Sequence, residues 1–137
     1  MLDKDAMQTI SKSGATLQAY CFQLAKISGW WTNLKTGGPL NTLAGERPII
    51  NIPEKLMLIV SEVAEAMEGH RKNLMDDKLS HRKMLEVELA DAVIRCFDLA
   101  GGIGLDLGGA IAEKLQYNQG REDHKLEVRV SDGGKQF

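Results

Sequence analysis

Two pairs of carboxylates set inside apolar, helix-like stretches constrain this chain more than any other feature. Glu62 and Glu65 lie three residues apart, and so do Glu88 and Asp91. Residues at this spacing share one face of a helix, so each pair would present its oxygens in one direction. The apolar residues around each pair form a stripe beside it, whereas an ordinary solvated acidic face lies opposite the apolar stripe. Because a buried charge without a partner is costly, the pattern predicts that a cation neutralises these side chains.

Size and charge narrow the classes of protein to consider. The chain has 137 residues, which fits one domain of ordinary size. We expect a single domain over residues 1–137, with a core at about 51–125 and a polar tail at 122–137. The net charge of −2 argues against binding to nucleic-acid polymers or membrane surfaces. The N-terminus lacks a signal-peptide pattern and no apolar run approaches the length of a membrane span, so we expect a cytoplasmic protein.

Apolar periodicity predicts four helices, over residues 5–28, 53–69, 81–100 and 107–120. The fold class expected is therefore all-α, a four-helix-type bundle. The short link between the second and third helices favours an antiparallel hairpin in which the two acidic pairs face each other. The third helix is apolar on two sides, which is typical of burial in a bundle or an oligomer. Gly101, Gly102 and Gly104 are expected to break the chain after it, and the alternation of Leu126, Val128 and Val130 allows a short strand.

A long irregular segment, residues 30–52, follows the first helix. It contains several helix breakers and begins with the adjacent Trp30 and Trp31. Two interpretations are open for these side chains. They could close the end of the bundle, or one of them could stack on a nucleobase.

The fourth helix carries Lys114, Asn118 and Arg121 on one face. Two cations and an amide in such a row form either a solvated stripe or a clamp for phosphate. Ligation by carboxylates alone points to a hard cation, Mg²⁺ or Mn²⁺. A di-iron bundle would need Glu-x-x-His motifs, and the sequence contains none.

The motifs resemble those of the MazG-like, all-α nucleoside triphosphate pyrophosphohydrolases. That family carries Glu-x-x-Glu on one helix and Glu-x-x-Asp on the next, as at Glu62-x-x-Glu65 and Glu88-x-x-Asp91. The surrounding residues also match, including Lys55 before the first motif and the Lys-x-x-x-Asn-x-x-Arg pattern at 114–121. One position departs from the family, since Ser61 stands where many members carry a second glutamate.

The resemblance implies a function and a role for each matching residue. Glu62, Glu65, Glu88 and Asp91 would bind Mg²⁺, with Mn²⁺ as a possible substitute, and Glu65 or Glu62 would also take a proton from the attacking water. The residues expected to contact the phosphates are Lys55, Lys114, Asn118 and Arg121. The reaction would convert a nucleoside triphosphate, such as a dNTP or a non-canonical NTP, to monophosphate and pyrophosphate, as in house-cleaning of the nucleotide pool. Family members assemble as homodimers or homotetramers.

Two alternatives to this function stay open at this point. A chain with the same fold could be a non-catalytic oligomerisation or nucleotide-sensing module. It could also be a related pyrophosphohydrolase specific for dUTP, dCTP or phosphoribosyl-ATP.

Overall fold

The computed structural model describes residues 2–40 and 50–135, and within them the fold is all-α as expected. The elements in chain order are α1 (Lys4–Ile27), α2 (Ile52–Lys72), α3 (Met84–Ile103), α4 (Leu107–Gln119), a 3-10 turn (Glu122–His124) and α5 (Leu126–Arg129). The described ranges contain isolated β-bridges but no strand. None of the described helices combines the length and the apolar character that crossing a membrane requires. The predicted irregular segment falls partly on residues 41–49, which lie outside the described residues.

The chain divides into two compact units. The larger unit is Gln18–Leu105, and the smaller one combines Met1–Leu17 with Asp106–Phe137. A single domain over the whole chain, and the four-helix arrangement of a bundle, therefore stay predictions.

The larger unit is built on a hairpin of α2 and α3. The Asn51 side chain accepts a hydrogen bond from the Glu54 amide at 3.1 Å, which caps the start of α2. Asn73 ends the helix in the left-handed conformation. In the short link that follows, the buried Asp76 side chain accepts hydrogen bonds from the amides of Lys78 and Leu79. The two helices run antiparallel, as predicted, because contacts join the start of each helix to the end of the other.

The expected break is wrong for Gly101 and Gly102 and correct for Gly104, since α3 continues to Ile103 and ends at Gly104 with φ of 74°. Packing explains the difference. A Cβ on Gly102 would lie 1.9 Å from the Trp31 indole, so only glycine lets this ring lie against the helix. The two glycines therefore serve close packing inside the helix rather than its termination.

The smaller unit pairs the first half of α1 with α4. A Cβ on Gly14 would lie 2.5 Å from the Cα of Gly108, so the two backbones approach closely. Asp106 caps α4 as predicted, because its side chain accepts a hydrogen bond from the Gly109 amide at 2.8 Å.

The short strand allowed at 126–130 is also wrong, because this segment forms α5. A strand needs a neighbour to satisfy its amides, and the described residues offer no strand for it to join. The backbone instead bonds locally, for example from the Val130 amide to the Leu126 carbonyl at 3.0 Å.

Helices α2 and α3 leave many apolar side chains exposed on the single chain. Val63 and Val93 are each about half exposed, at 50% and 51%. Others in this set, which we call the α2/α3 apolar surface, are Leu56, Met57, Val60, Met67, Leu89 and Ile94. A surface of this kind on a small protein is typical of an interaction face.

Candidate functional site

Three of the four predicted metal ligands converge in the larger unit. Glu62 and Glu65 on α2 and Glu88 on α3 each place one carboxylate oxygen within 4.8 Å of the others. Glu62 and Glu88 are buried, with 6% and 8% of their surface exposed, whereas Glu65 is exposed. The hairpin creates this cluster, because it turns the inner faces of α2 and α3 towards each other. We call these three residues the carboxylate cluster.

Asp91, the fourth predicted ligand, lies one helical turn after Glu88 and is half-buried. It is not part of the mutually close set, but it is near enough to interact with it. Burial raises the pKa of Asp91, the negative charge of Glu62 raises it further, and the positive charge of Arg95 opposes both effects. Asp91 therefore lies at the edge of the cluster and experiences its field.

The cluster retains a proton near neutral pH. Burial is the main cause that raises the pKa of Glu88 to about 7, followed by its hydrogen bond with Glu62 and the charges of Glu65, Glu62 and Asp91. In this arrangement the protonated Glu88 carboxyl donates to the Glu62 carboxylate. A proton held in this way is the kind that a metal ion displaces when it binds carboxylates.

Arg95 reaches from α3 to the cluster. Its Nε donates to Oε1 of Glu62 at 2.7 Å, although only 9% of the Glu62 side chain is exposed. Arg95 was not among the site residues predicted from the sequence. Its position four residues after Asp91 is the available signal, because residues at that spacing lie on one face.

A second set of polar contacts joins α2 and α3, near the start of α2 and the end of α3. Asp98 accepts a hydrogen bond from Nε1 of Trp31 at 2.6 Å, and its other oxygen lies 3.5 Å from Nζ of Lys55. The Lys55 ammonium also lies 4.2 Å from the centre of the Trp31 ring, and Phe22 packs edge-on against that ring at 5.4 Å. Trp31 is thus a buried part of the packing, and Lys55 is held by two partners. Asp98 is a residue that sequence reasoning missed.

A cavity of about 460 Å³ opens beside these groups within the larger unit. Its polar wall is formed by Lys55, Asp91, Arg95 and Asp98. Its other lining residues include Tyr20, Leu24, Trp30 and Ile94. Trp30 is 72% exposed, so its ring is free to contact a ligand, unlike that of Trp31. This volume is within the usual range for small-molecule sites.

The three predicted phosphate contacts lie in the smaller unit, but they do not share one helix. Lys114 and Asn118 are on α4, which ends at Gln119, whereas Arg121 follows in an extended conformation, so the predicted helical row is wrong for Arg121. The Lys114 ammonium lies 4.8 Å from the centre of the Tyr117 ring, and Arg121 forms two hydrogen bonds with Asp123. The buried Oδ1 of Asn118 has no hydrogen-bond partner among the described residues. Lys114 and Arg121 also line a cavity of about 780 Å³ in this unit. The phosphate role of these three residues stays a prediction.

No family model, curated protein or solved structure matches the chain. The resemblance to the MazG-like enzymes therefore depends on the motif residues themselves. What the structure adds is the geometry of those residues, which can be compared with the needs of a cation.

The carboxylate cluster fits a hard divalent cation. Mg²⁺ binds oxygens at about 2.1 Å, so two ligands on opposite sides of the ion lie about 4.2 Å apart. Oxygens within 4.8 Å of one another need only small side-chain movements to reach that spacing. The donor set is oxygen alone, which suits Mg²⁺ or Mn²⁺ and disfavours softer metals.

Proposed function

We propose that this protein is a Mg²⁺-dependent nucleoside triphosphate pyrophosphohydrolase of the MazG-like type. The observation that supports this most is the convergence of Glu62, Glu65 and Glu88 from two helices, with two of the three carboxylates buried. Three carboxylates this close repel one another, and Arg95 and a proton on Glu88 offset only part of that repulsion, so a bound cation would stabilise the cluster. The proposed products are a nucleoside monophosphate and pyrophosphate.

The carboxylates would have two roles at the site, metal binding and proton transfer. Glu62, Glu65, Glu88 and Asp91 hold the metal, with Mn²⁺ as a substitute. A bound divalent ion supplies polarisation of the phosphoryl oxygens and lowers the pKa of a coordinated water. Glu65 is the exposed member of the cluster, so it is best placed to accept the proton of the attacking water, with Glu62 as the alternative.

Basic residues and the cavity would bind the nucleotide. Lys55 and Arg95 line the cavity together with Asp91. Their positive charges would stabilise the phosphates of a nucleotide bound near the metal. Trp30 offers a flat, exposed ring for a nucleobase. Lys114, Asn118 and Arg121 are included in the proposal as phosphate contacts on the basis of the family motif.

The proposed assembly is a homodimer or homotetramer. The α2/α3 apolar surface supports this, because a soluble monomer of this size rarely leaves so many apolar side chains of two adjacent helices half exposed.

A substrate panel with pyrophosphate release as the readout tests the function. The panel contains the common NTPs and dNTPs, oxidised and deaminated nucleotides, dUTP, dCTP and phosphoribosyl-ATP, each with Mg²⁺, Mn²⁺ or EDTA. We expect metal-dependent release of pyrophosphate from at least one nucleotide and none in EDTA. Absence of turnover across the whole panel would reject the enzymatic function.

A second candidate is a nucleotide-sensing or oligomerisation module without catalysis, which the α2/α3 apolar surface also favours. Calorimetric titration with Mg²⁺ and a non-hydrolysable nucleotide separates the two functions. Binding without pyrophosphate release would favour the module.

A further inference from the structure

Arg95 holds the most enclosed carboxylate of the cluster, although Arg95 itself is not enclosed. The Glu62 side chain is 9% exposed, whereas that of Arg95 is 42% exposed. The guanidinium of Arg95 is therefore able to rotate away from its partner, while Glu62 has no comparable route to solvent. An enclosed carboxylate that loses its positive partner is strongly destabilising unless another cation replaces that partner.

Arginine and a metal ion would compete for the same carboxylate. The guanidinium of Arg95 donates to Oε1 of Glu62 at 2.7 Å, so its positive charge lies beside a carboxylate of the cluster. Like charges repel at this range, so a divalent cation at the cluster and the Arg95 guanidinium oppose each other. The other cross-helix pair differs, because Lys55 is fixed by both Asp98 and the Trp31 ring and does not touch the cluster.

We propose that Arg95 is an exchangeable counter-ion. In the ion-free protein its guanidinium forms an ion pair with Glu62, and when a divalent cation binds, the same guanidinium instead forms an ion pair with a phosphate of the nucleotide. This inference rests on the proposed function and adds a residue to it. The position of Arg95 supports the second half of the exchange, since Arg95 lines the cavity together with Asp91 and Lys55. A planar guanidinium binds two phosphate oxygens as well as it binds a carboxylate.

The exchange predicts two opposite effects of removing Arg95. Without its competitor, Mg²⁺ should bind the nucleotide-free protein more tightly. Without its phosphate contact, the nucleotide should bind more weakly. A residue with only a structural role would produce neither effect.

The test compares Arg95→Gln with the control Arg82→Gln. Arg82 lies in the link before α3 and forms an exposed ion pair with Glu86, a residue outside the carboxylate cluster, at 2.6 Å. For Arg95→Gln we expect the Kd for Mg²⁺, measured by calorimetry without nucleotide, to fall by about fivefold or more. We expect the Tm in EDTA to fall by about 4 °C or more relative to the wild type, and this gap to close as Mg²⁺ is added. The KM for the nucleotide should rise by about tenfold, while Arg82→Gln changes none of these.

Several outcomes would overturn the inference. Unchanged or weaker Mg²⁺ binding by Arg95→Gln would do so, and so would a Tm deficit that is equal in EDTA and in Mg²⁺. If Arg95→Gln does not fold in either condition, Arg95→Lys decides, because a lysine is a poorer partner for a carboxylate and should still let Mg²⁺ bind more tightly than in the wild type. A wild type that shows neither Mg²⁺-linked stabilisation nor turnover would reject the proposed function itself. A wild type that shows both, with Arg95→Gln behaving like Arg82→Gln, would reject only the role of Arg95.

Discussion

At the scale of single residues, the carboxylate cluster is short of positive charge. Arg95 and a shared proton neutralise part of it, and the remaining negative charge is what a divalent cation would balance. The sequence predicted that acidic side chains of two helices face each other, because i and i+3 spacing fixes the face of a helix. Three of the four predicted residues converge, and Asp91 lies at the edge of the cluster. It could not assign Arg95 or Asp98 to the site, because their partners are 33 and 67 residues away in the chain.

The first prediction concerns the ligands. Glu62→Gln and Asp91→Asn should each lower pyrophosphate release on the order of 100-fold or more, because even groups that only support metal ligands contribute about 10–100-fold. Steady-state assays with Mg²⁺ measure this. Glu68→Gln is the control, since Glu68 also lies on α2 but forms ion pairs with Arg71 and Lys72 and is not one of the predicted ligands. Full activity in either ligand variant would contradict the assigned role.

The second prediction concerns pH. The pKa of Glu88 is raised from its usual 4.5 to about 7 in the folded protein, so the native state holds this proton more tightly than the unfolded chain does. Its contribution to stability is complete below about pH 4.5 and is lost as the pH rises through about 7. The raised pKa of Asp91 acts in the same direction. In EDTA, we therefore expect the Tm to fall by a few degrees between about pH 5 and pH 8.

Two controls accompany the pH prediction. Mg²⁺ should flatten the curve, because the ion replaces the proton, and Glu88→Gln should flatten it in EDTA, because the titrating group is gone. A Tm in EDTA that rises over the same pH interval, beyond the change in Glu88→Gln, would contradict the raised pKa.

At the scale of elements, apolar periodicity and capping residues predicted the helices. The end of α3 could not be predicted in this way, because it depends on tertiary packing. The predicted helices overlap α1 to α4, and Asp106 and the hairpin were correct. The end of α3 was misplaced because glycine is a poor helix former locally, yet Gly102 is the residue that lets the Trp31 ring reach the helix. Contacts with residues 71 positions away are not visible in a local pattern.

The third prediction tests this packing. Gly102→Ala should lower the free energy of unfolding by about 1–3 kcal/mol, because the new Cβ overlaps the Trp31 ring and forces it to move. Chemical denaturation measures the loss. Gly120→Ala is the control, since its Cβ would meet only the Tyr117 carbonyl oxygen at 3.5 Å, an ordinary contact. Equal stability of the two variants would show that the ring does not pack as described.

At the scale of the whole molecule, a single chain leaves many apolar side chains of α2 and α3 exposed to solvent. The sequence indicated a helix with two apolar sides, but a pattern on one helix does not tell which side faces a neighbouring helix of the same chain. The structure shows which side chains of the hairpin stay exposed, and these form the α2/α3 apolar surface.

The fourth prediction follows from that surface. Val63→Glu combined with Val93→Glu should convert a dimer or tetramer to monomer, because two charges would be desolvated in an apolar interface. Sedimentation equilibrium gives the mass. Leu34→Glu is the control, since Leu34 is 89% exposed and lies outside α2 and α3. A wild type that sediments as a monomer would contradict the proposed assembly.

The opposite environments of the adjacent Trp30 and Trp31 have a practical consequence. They are the only tryptophans in the sequence, and their exposed fractions are 72% and 5%. Their fluorescence should therefore contain a solvent-relaxed component that iodide quenches and a protected component that it does not reach. Trp30→Phe would leave the protected indole alone beside Asp98, where its emission would follow the integrity of the hairpin. Trp31→Phe would leave the other indole as a reporter on the cavity, so this chain carries its own optical probes for folding and for ligand occupancy.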